Sequence, residues 1–303
     1  MRRVMRGAIG IAFLIGGAMG VATGAAAEEK PAPLQIKVIT SSEPSLFSDS
    51  TMIMGEKEMV LVDPPFTRAD GLRLAADVLE TGKTLKAIYI THDHPDHFFS
   101  VDVFTDLFPG VEVVTAPQVV DDIWKSYPLK FKRWGPMLGA NGPRHPVAVH
   151  PVKDGKIMLE GHEIRVIGPM QGDHVHATAL YIPSLDAVIC GDLCFDKIHL
   201  WLGEHMASQY DDWLASLDRL AALKPKIVVA GHKLPGLPDN TSALDFTRRY
   251  LLAFKAAAKK SKTSDELMKT IRQEFPDTRD VLDNFILVNS AKVATGEMPP
   301  WEE

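Results

Sequence analysis

The sequence predicts an α/β (α+β) fold in which two β-sheets pack face to face with helices on their outer sides. Short apolar strands alternate with amphipathic helices, and several strand pairs are joined by tight turns typical of hairpins. No internal repeat is present. The chain has 303 residues, 46% apolar and 24% charged, which is long enough and apolar enough for a large core.

The first half of the chain is predicted to supply the first sheet and its helices. The run 85–91 is apolar on both faces, which indicates a buried strand, and Gly82 marks the end of the helix before it. The predicted strands are 34–40, 45–47, 51–54, 58–62, 85–91 and 111–115, and the predicted helices are 68–81, 96–107 and 119–126.

The second half repeats the pattern more loosely. Glycine and proline are frequent in 130–147, which predicts a loop or lid there. The predicted strands are 156–159, 162–167, 179–183, 187–190 and 227–230, and the predicted helices are 211–223 and two pieces within 241–275. We expect a single domain over 28–303, with its core at about 35–260, a C-terminal helical extension at 261–303 and a peripheral end.

An N-terminal signal peptide is predicted at residues 1–27. Arginines at positions 2, 3 and 6 precede an apolar run from about 8 to 22, and the alanines at 25–27 form a small-residue cleavage site. The run is shorter than a membrane span, which favours cleavage over a retained anchor. We therefore expect a periplasmic or secreted protein with no membrane attachment after cleavage; the paired arginines are weakly consistent with twin-arginine export.

Charge and cysteine content limit the partners. Cleavage would remove three arginines and no acid, which changes the formal charge from −6 to −9 and argues against nucleic acid as a partner. Cys190 and Cys194 would lie about 13 Å apart in an extended chain, beyond the roughly 7 Å that a disulfide spans, so two buried free thiols are expected.

A dense group of histidines and aspartates follows the strand at 85–91. His92 and His94 are two residues apart, so in extended chain their side chains point the same way and can share one metal ion. Asp96 and His97 follow Pro95, where the chain turns, so they can face a second ion. Imidazole and carboxylate are ligands that zinc takes in proteins.

Two further ligands are predicted at strand ends. Gly191-Asp192 follows the strand at 187–190, and Gly231-His232 follows the strand at 227–230. Ligands in α/β proteins commonly bind at the carboxyl ends of strands. Together with the histidine cluster, these residues predict a metal centre at the carboxyl ends of the strands.

This pattern resembles the metallo-β-lactamase superfamily, whose signature is His-x-His-x-Asp-His followed by a His, an Asp and a final His. The resemblance covers about residues 35–260 and implies an αββα four-layer sandwich with two divalent ions, zinc first and iron or manganese as alternatives. It implies that His92 and His94 bind the first ion, that Asp96, His97 and His232 bind the second, and that Asp192 bridges them. Asp63 matches a supporting aspartate.

The middle ligand of the first ion has several candidates. The segment 171–178 offers His174 and His176, and another register places Gln171 there and leaves no histidine. His176 is favoured because Ala177-Thr178 and the next strand follow it directly.

The resemblance implies a metal-dependent hydrolase in which an activated hydroxide attacks a small ester, lactone, amide or β-lactam. Asp96 would orient the nucleophile and pass a proton to the leaving group, and His199 would line the groove and contact the substrate. Two alternatives are a mononuclear iron enzyme of the same fold that oxidises thiols or persulfides, and a metal-binding protein without turnover. Oligomeric state is not predicted.

Overall fold

Two β-sheets packed face to face form the centre of the protein in a computed structural model, which describes residues 31–302. Side chains from both sheets meet in one buried apolar layer, to which Ile53 and Tyr89 contribute from the first sheet and Leu180 and Val229 from the second. The predicted signal peptide lies outside the described residues. Among residues 31–302, no helix is both long and apolar enough to cross a bilayer.

The first sheet has six strands in the order of the chain. The pairs β1–β2 and β2–β3 are antiparallel, and the pairs β3–β4, β4–β5 and β5–β6 are parallel. Their bounds are β1 Gln35–Thr40, β2 Asp49–Met54, β3 Glu58–Val62, β4 Thr84–Tyr89, β5 Glu112–Thr115 and β6 His150–Pro151.

The second sheet has the strand order β12-β10-β9-β8-β7, and β11 and β13 form a short parallel pair of their own. Their bounds are β7 Lys156–Leu159, β8 His162–Met170, β9 Ala177–Ile182, β10 Ala187–Ile189, β11 Phe195–Asp196, β12 Ile227–Val229 and β13 His232–Lys233.

Helices cover the outer faces and complete the four layers. The first three pack on the outside of the first sheet, and the last four contribute to the core outside the second sheet. Their bounds are α1 Arg68–Glu80, α2 Val101–Leu107, α3 Pro117–Leu138, α4 Gln209–Ala221, α5 Ser242–Ala258, α6 Ser264–Glu274 and α7 Phe285–Ala294. The predicted fold class is therefore confirmed, as are the two free, buried cysteines.

Three local predictions were wrong. Residues 45–47 do not form a strand: a 3-10 turn at Glu43–Ser45 ends in two left-handed residues, Leu46 and Phe47. The segment from 130 is not a loop, because α3 continues to Leu138 through two prolines. The C-terminal end is not peripheral, because α7 and the residues after it line a cavity that residues of the predicted histidine segment also line.

Helix α3 continues past Pro128 because its inner face is anchored. Proline lacks the N–H of a helical hydrogen bond and usually ends a helix. Here Val119, Ile123 and Ser126 are buried along one side, and the buried Lys130 ammonium donates hydrogen bonds to the backbone oxygen and the Oδ2 of Asp93, at 2.5 and 2.7 Å. These tertiary contacts outweigh the missing backbone bond.

Candidate metal centre

Strand ends bring the candidate ligands to one edge of the two sheets. The histidine segment begins directly after β4, Asp192 follows β10, and His232 follows β12. A fourth segment, the loop between β8 and β9, adds Asp173. The fold thus brings residues as distant in sequence as His92 and His232 into two adjoining groups of buried side chains.

The first group consists of His92, His94, Asp173 and Asp192, whose candidate ligand atoms lie within 4.8 Å of one another. The His92 Nε2 atom is 3.7 Å from Asp173 Oδ1 and 3.8 Å from Asp192 Oδ2. The His94 Nδ1 atom is 2.9 Å from Asp173 Oδ2. Four buried donors of this kind surround a space suited to one cation.

The second group consists of Asp96, His97 and His232. The His232 Nε2 atom is 3.1 Å from Asp96 Oδ2 and 3.3 Å from His97 Nε2. Asp192 reaches this group too, since its Oδ1 lies 3.1 Å from His97 Nε2 and its Oδ2 lies 3.1 Å from His232 Nε2. The structure therefore places Asp192 between the two groups.

Hydrogen bonds to the rear of the rings turn three Nε2 atoms toward the centre. The His97 Nδ1 group donates to Asp63 Oδ2 at 3.0 Å, and the His232 Nδ1 group donates to the Leu46 carbonyl at 2.8 Å. The Thr91 hydroxyl donates to Asp63 and lies 3.0 Å from His92 Nδ1. Such outer partners fix the tautomer of a metal-binding histidine, and Asp63 lies where the resemblance implies a supporting aspartate.

None of the three predicted candidates for the middle ligand belongs to the two groups, whereas Asp173 does. The His176 Nδ1 atom lies 2.6 Å from Asp122 Oδ2 on α3, and its half-exposed ring is not part of either group. The His174 Nε2 atom lies 3.4 Å from Asp93 Oδ1, and the Gln171 amide donates to the Gly172 carbonyl.

We therefore replace His176 with Asp173 in the candidate ligand set. Its carboxylate is buried and faces both His92 and His94. A sequence signal was present, because Gly172-Asp173 repeats the glycine-ligand pairing of Gly191-Asp192 and Gly231-His232. The prediction was restricted to a histidine or Gln171 at that position.

Glu204 is a second residue that the sequence interpretation missed. Its Oε1 atom lies 3.2 Å from His94 Nε2 and accepts a hydrogen bond from the Trp201 indole at 2.8 Å. Burial alone would raise the pKa of Glu204, but the neighbouring His94 lowers it to about 2. An ionised Glu204 therefore holds the outer nitrogen of His94, as Asp63 does for His97. No motif in the sequence marks it.

The residues present fit a divalent metal ion. Among the described residues, His92 Nε2, Asp173 Oδ1 and Asp192 Oδ1 are buried atoms without a hydrogen-bond partner, an expensive arrangement unless a ligand binds there. Burial raises the pKa of Asp173 well above its usual range, and the nearby Asp192 adds to this. A cation between them would keep both carboxylates ionised.

Burial favours the metal-binding form of one imidazole, that of His92. It lowers the pKa of His92 well below the usual value, and the neighbouring His97 and His94 rings lower it further. His92 is therefore neutral, which is the form that binds metals. Burial would raise the pKa of Asp192, but His232 and His97 lower it well below its ordinary range.

Two glycines permit this close packing. A Cβ atom at Gly231 would lie 1.9 Å from Asp192 Oδ1, and one at Gly191, whose φ is +51°, would lie 2.4 Å from the Thr91 hydroxyl. Only glycine leaves room for the carboxylate and for Thr91 at these strand ends. The glycine before each ligand is thus part of the site.

A cavity opens over the two groups. Asp96, Asp192 and His232 lie on its floor, and its remaining walls are mostly apolar. His199 lines it as predicted, with its Nδ1 atom 2.8 Å from the Tyr250 hydroxyl oxygen.

Aromatic side chains near the site line two different pockets. Trp134 and Trp201 line the cavity over the metal groups. Trp124 and the pair Phe98-Phe99 instead line a separate small pocket beside α3.

Comparisons with known proteins give one family and several solved structures of one fold. Residues 44–232 match the family model described as the metallo-beta-lactamase superfamily. No curated protein matches the chain significantly.

Among solved structures, a metallo-beta-lactamase family protein from Thermus thermophilus is similar, at 21% identity and a TM-score of 0.61, over 87% of this chain and 91% of that one. The DIM-1 metallo-beta-lactamase, in a crystal exposed to ceftazidime, is 17% identical with a TM-score of 0.52, over 74% and 99%. A metallo-beta-lactamase from Pontibacter korlensis is 19% identical with a TM-score of 0.50, over 68% and 87%. At these identities the likeness concerns the fold alone.

Proposed function

The chain belongs to the metallo-beta-lactamase superfamily, and we propose that it is a hydrolase that uses two divalent metal ions on a small ester, lactone, amide or β-lactam. One observation carries the proposal: two buried groups of imidazoles and carboxylates share Asp192 at the floor of a cavity. Superfamily membership supports the chemistry but does not fix the substrate.

The proposed ligands follow from the two groups. His92, His94 and Asp173 would hold one ion, and Asp96, His97 and His232 would hold the other, with Asp192 shared between them. When bound, a pair of such ions lowers the pKa of a water and stabilises the oxyanion that develops in acyl transfer.

Asp96 is the proposed proton carrier. Burial would raise its pKa, but His97 and His232 lower it below the usual value, so the side chain is a carboxylate. It also lines the cavity. A carboxylate there can accept a proton from the attacking water and give it to the leaving group.

His199 is the proposed hydrogen-bond donor to the substrate. Burial raises the pKa of Tyr250 well above its usual value, so its hydroxyl keeps the proton and can donate to His199 Nδ1. Burial and the charge of Arg272 lower the pKa of His199 to about 4, so the ring is neutral near pH 7; when Tyr250 donates to Nδ1, the ring proton lies on Nε2. An N–H in the cavity wall can hold a substrate oxygen.

Zinc is the proposed metal, with iron or manganese as alternatives. Two imidazoles and two carboxylates in the first group form a donor set that also suits iron, which keeps the oxidation of thiols or persulfides as a second candidate function. Export to the periplasm or medium is proposed from residues 1–27 alone, and a small molecule is the proposed partner.

Metal analysis of protein purified without added metal, combined with a panel of esters, lactones and β-lactams, tests the proposal. We expect two equivalents of metal per chain and turnover of at least one substrate. His94→Ala should remove about one equivalent and lower turnover by orders of magnitude.

His176→Ala is the matched control, because this histidine pairs with Asp122 away from both groups; it should keep both metals and full activity. Full activity in the His94→Ala variant would contradict the proposal that the protein is a metal-dependent hydrolase with this site. Iron together with oxygen consumption on thiols would favour the redox alternative.

A further inference from the structure

We propose that the C-terminal segment, residues 281–301, completes a substrate pocket that selects uncharged acyl or aryl groups and rejects anionic ones. The inference rests on the proposed hydrolase and narrows its substrates to uncharged esters, lactones and amides, because β-lactam antibiotics carry a carboxylate or a sulfonate. The segment lies wholly beyond residue 232, where the family match ends.

Aromatic rings form the wall of the cavity opposite the metal groups. Phe285 lies at their centre, stacked on Trp201 with ring centroids 5.5 Å apart, and it meets Trp301 at 5.2 Å and Trp134 at 5.7 Å, both edge to face. Ile286 adds an aliphatic surface. Such a wall gains free energy by burying an apolar group and nothing by binding a carboxylate.

The wall is fixed in place by contacts with the rest of the chain. The Trp301 amide donates to the Gly203 carbonyl at 2.9 Å, and the Ser290 hydroxyl accepts a hydrogen bond from the Leu202 amide at 2.9 Å. Between α7 and Trp301, the Glu297 carboxylate accepts hydrogen bonds from the Ser264 amide and hydroxyl, at 2.6 and 2.7 Å. The segment is therefore held against the loop that carries Trp201 and Glu204.

The charges around the cavity exclude an anion. None of the described residues that line it is a lysine or an arginine, whereas four are acids: Asp96, Asp173, Asp192 and Glu204. Two divalent ions would neutralise these four carboxylates and leave no excess positive charge. A substrate carboxylate placed against the aromatic wall would lose its hydration without gaining a counterion.

Lys233 and Arg133 are two of the cations close to the cavity, and both are engaged with other groups. Lys233 follows the ligand His232, but its ammonium is buried, forms an ion pair with Asp239 and lies 3.4 Å from Asp49. The Arg133 guanidinium lies over the Trp301 ring, 4.3 Å from its centroid, and Arg133 does not line the cavity. Neither side chain is therefore placed to receive a substrate carboxylate.

A matched pair of aryl esters tests the charge preference. The esters 4-nitrophenyl hexanoate and mono-4-nitrophenyl adipate share the leaving group and the acyl chain length, and they differ by a terminal carboxylate. With the metal-loaded enzyme we expect kcat/KM for the hexanoate to exceed that for the adipate by about tenfold or more. Equal values, or a preference for the adipate, would overturn the proposal.

Two substitutions at Trp301 test whether the C-terminal segment contributes to substrate binding. Trp301→Ala should raise KM for the hexanoate by about tenfold with unchanged metal content, because an aromatic contact is lost. Trp301→Lys should shift the preference toward the adipate, because it supplies a cation. Trp124→Ala removes an exposed tryptophan outside this cavity and is the matched control, with no expected change. An unchanged KM in both Trp301 variants would contradict the assignment.

Binding of unreactive analogues separates this inference from the hydrolase itself. Hexananilide and adipic acid monoanilide carry the same two acyl chains on an amide, and tryptophan fluorescence reports their binding to the protein as purified. We expect saturable binding of hexananilide that Trp301→Ala weakens by about tenfold, and weaker binding of the monoanilide. If no substrate is hydrolysed but this pattern holds, the hydrolase fails and the pocket stands. If esters are hydrolysed but the two anilides bind alike, the pocket assignment fails alone.

Discussion

The two ligand groups differ in how the chain builds them. The second group takes Asp96 and His97 from one short segment and His232 from the start of β13, just after β12, all of them positions that the sequence pattern predicted. The first group takes Asp173 from the loop between β8 and β9, which has no regular backbone to fix its register. Ligands that follow a buried strand are predictable from the sequence, whereas a ligand in an irregular loop depends on how the loop folds.

Asp192 is where the two groups meet, so its loss should have the largest effect. Asp192→Ala removes a carboxylate that contacts His92, His97 and His232. We expect both metal equivalents to be lost and turnover to fall by about a thousandfold or more, since neither ion would keep its shared ligand. Metal analysis and kcat/KM check these losses. Retention of two metal equivalents would show that the two groups do not share Asp192 as a ligand.

Substitutions that remove a ligand from only one group test whether the two groups bind separate ions. His92→Ala should remove the ion of the first group and leave the second, and His232→Ala should do the reverse, because each ring belongs to one group only. Each variant should hold about one equivalent of metal. Cobalt substitution followed by absorption spectroscopy distinguishes the two sites, and identical spectra for the two variants would contradict two separate groups.

The smallest expected change in metal binding comes from substitution of Asp173, which stands where the family pattern has a histidine. Asp173→His would replace an oxygen donor near His94 Nδ1 with an imidazole. We expect the protein to keep its fold and two metals but to favour zinc over manganese more strongly, because imidazole suits zinc and carboxylate suits manganese. Competition between the two metals, read by mass spectrometry, checks the shift; an unchanged ratio would mean that Asp173 does not bind.

The fold was predictable because its signals are local and repeated. Runs such as Thr84–Tyr89 and Ile227–Val229 have strand character whatever their surroundings, and their ends carried the ligands. Helix α3 was not predictable beyond residue 126, because its continuation depends on the buried contact between Lys130 and Asp93, 37 residues away. The local proline signal favoured a loop, and a tertiary contact overrode it.

The same reason explains what the sequence could not show about the site. Glu204 and Trp301 carry no motif, and they reach the cavity only because the loop before α4 and the segment after α7 fold back over it. The sequence predicted a helical extension at 261–303 without indicating which surface it covers. Residues that act through long-range packing therefore require the structure.

The most direct test of the shared-ligand centre is a crystal structure of the zinc-loaded protein with anomalous diffraction data collected at the zinc absorption edge. We predict two anomalous peaks, one beside His92, His94 and Asp173 and the other beside Asp96, His97 and His232, with Asp192 touching both. Peaks elsewhere, or a first peak bound by His176 in place of Asp173, would contradict this arrangement.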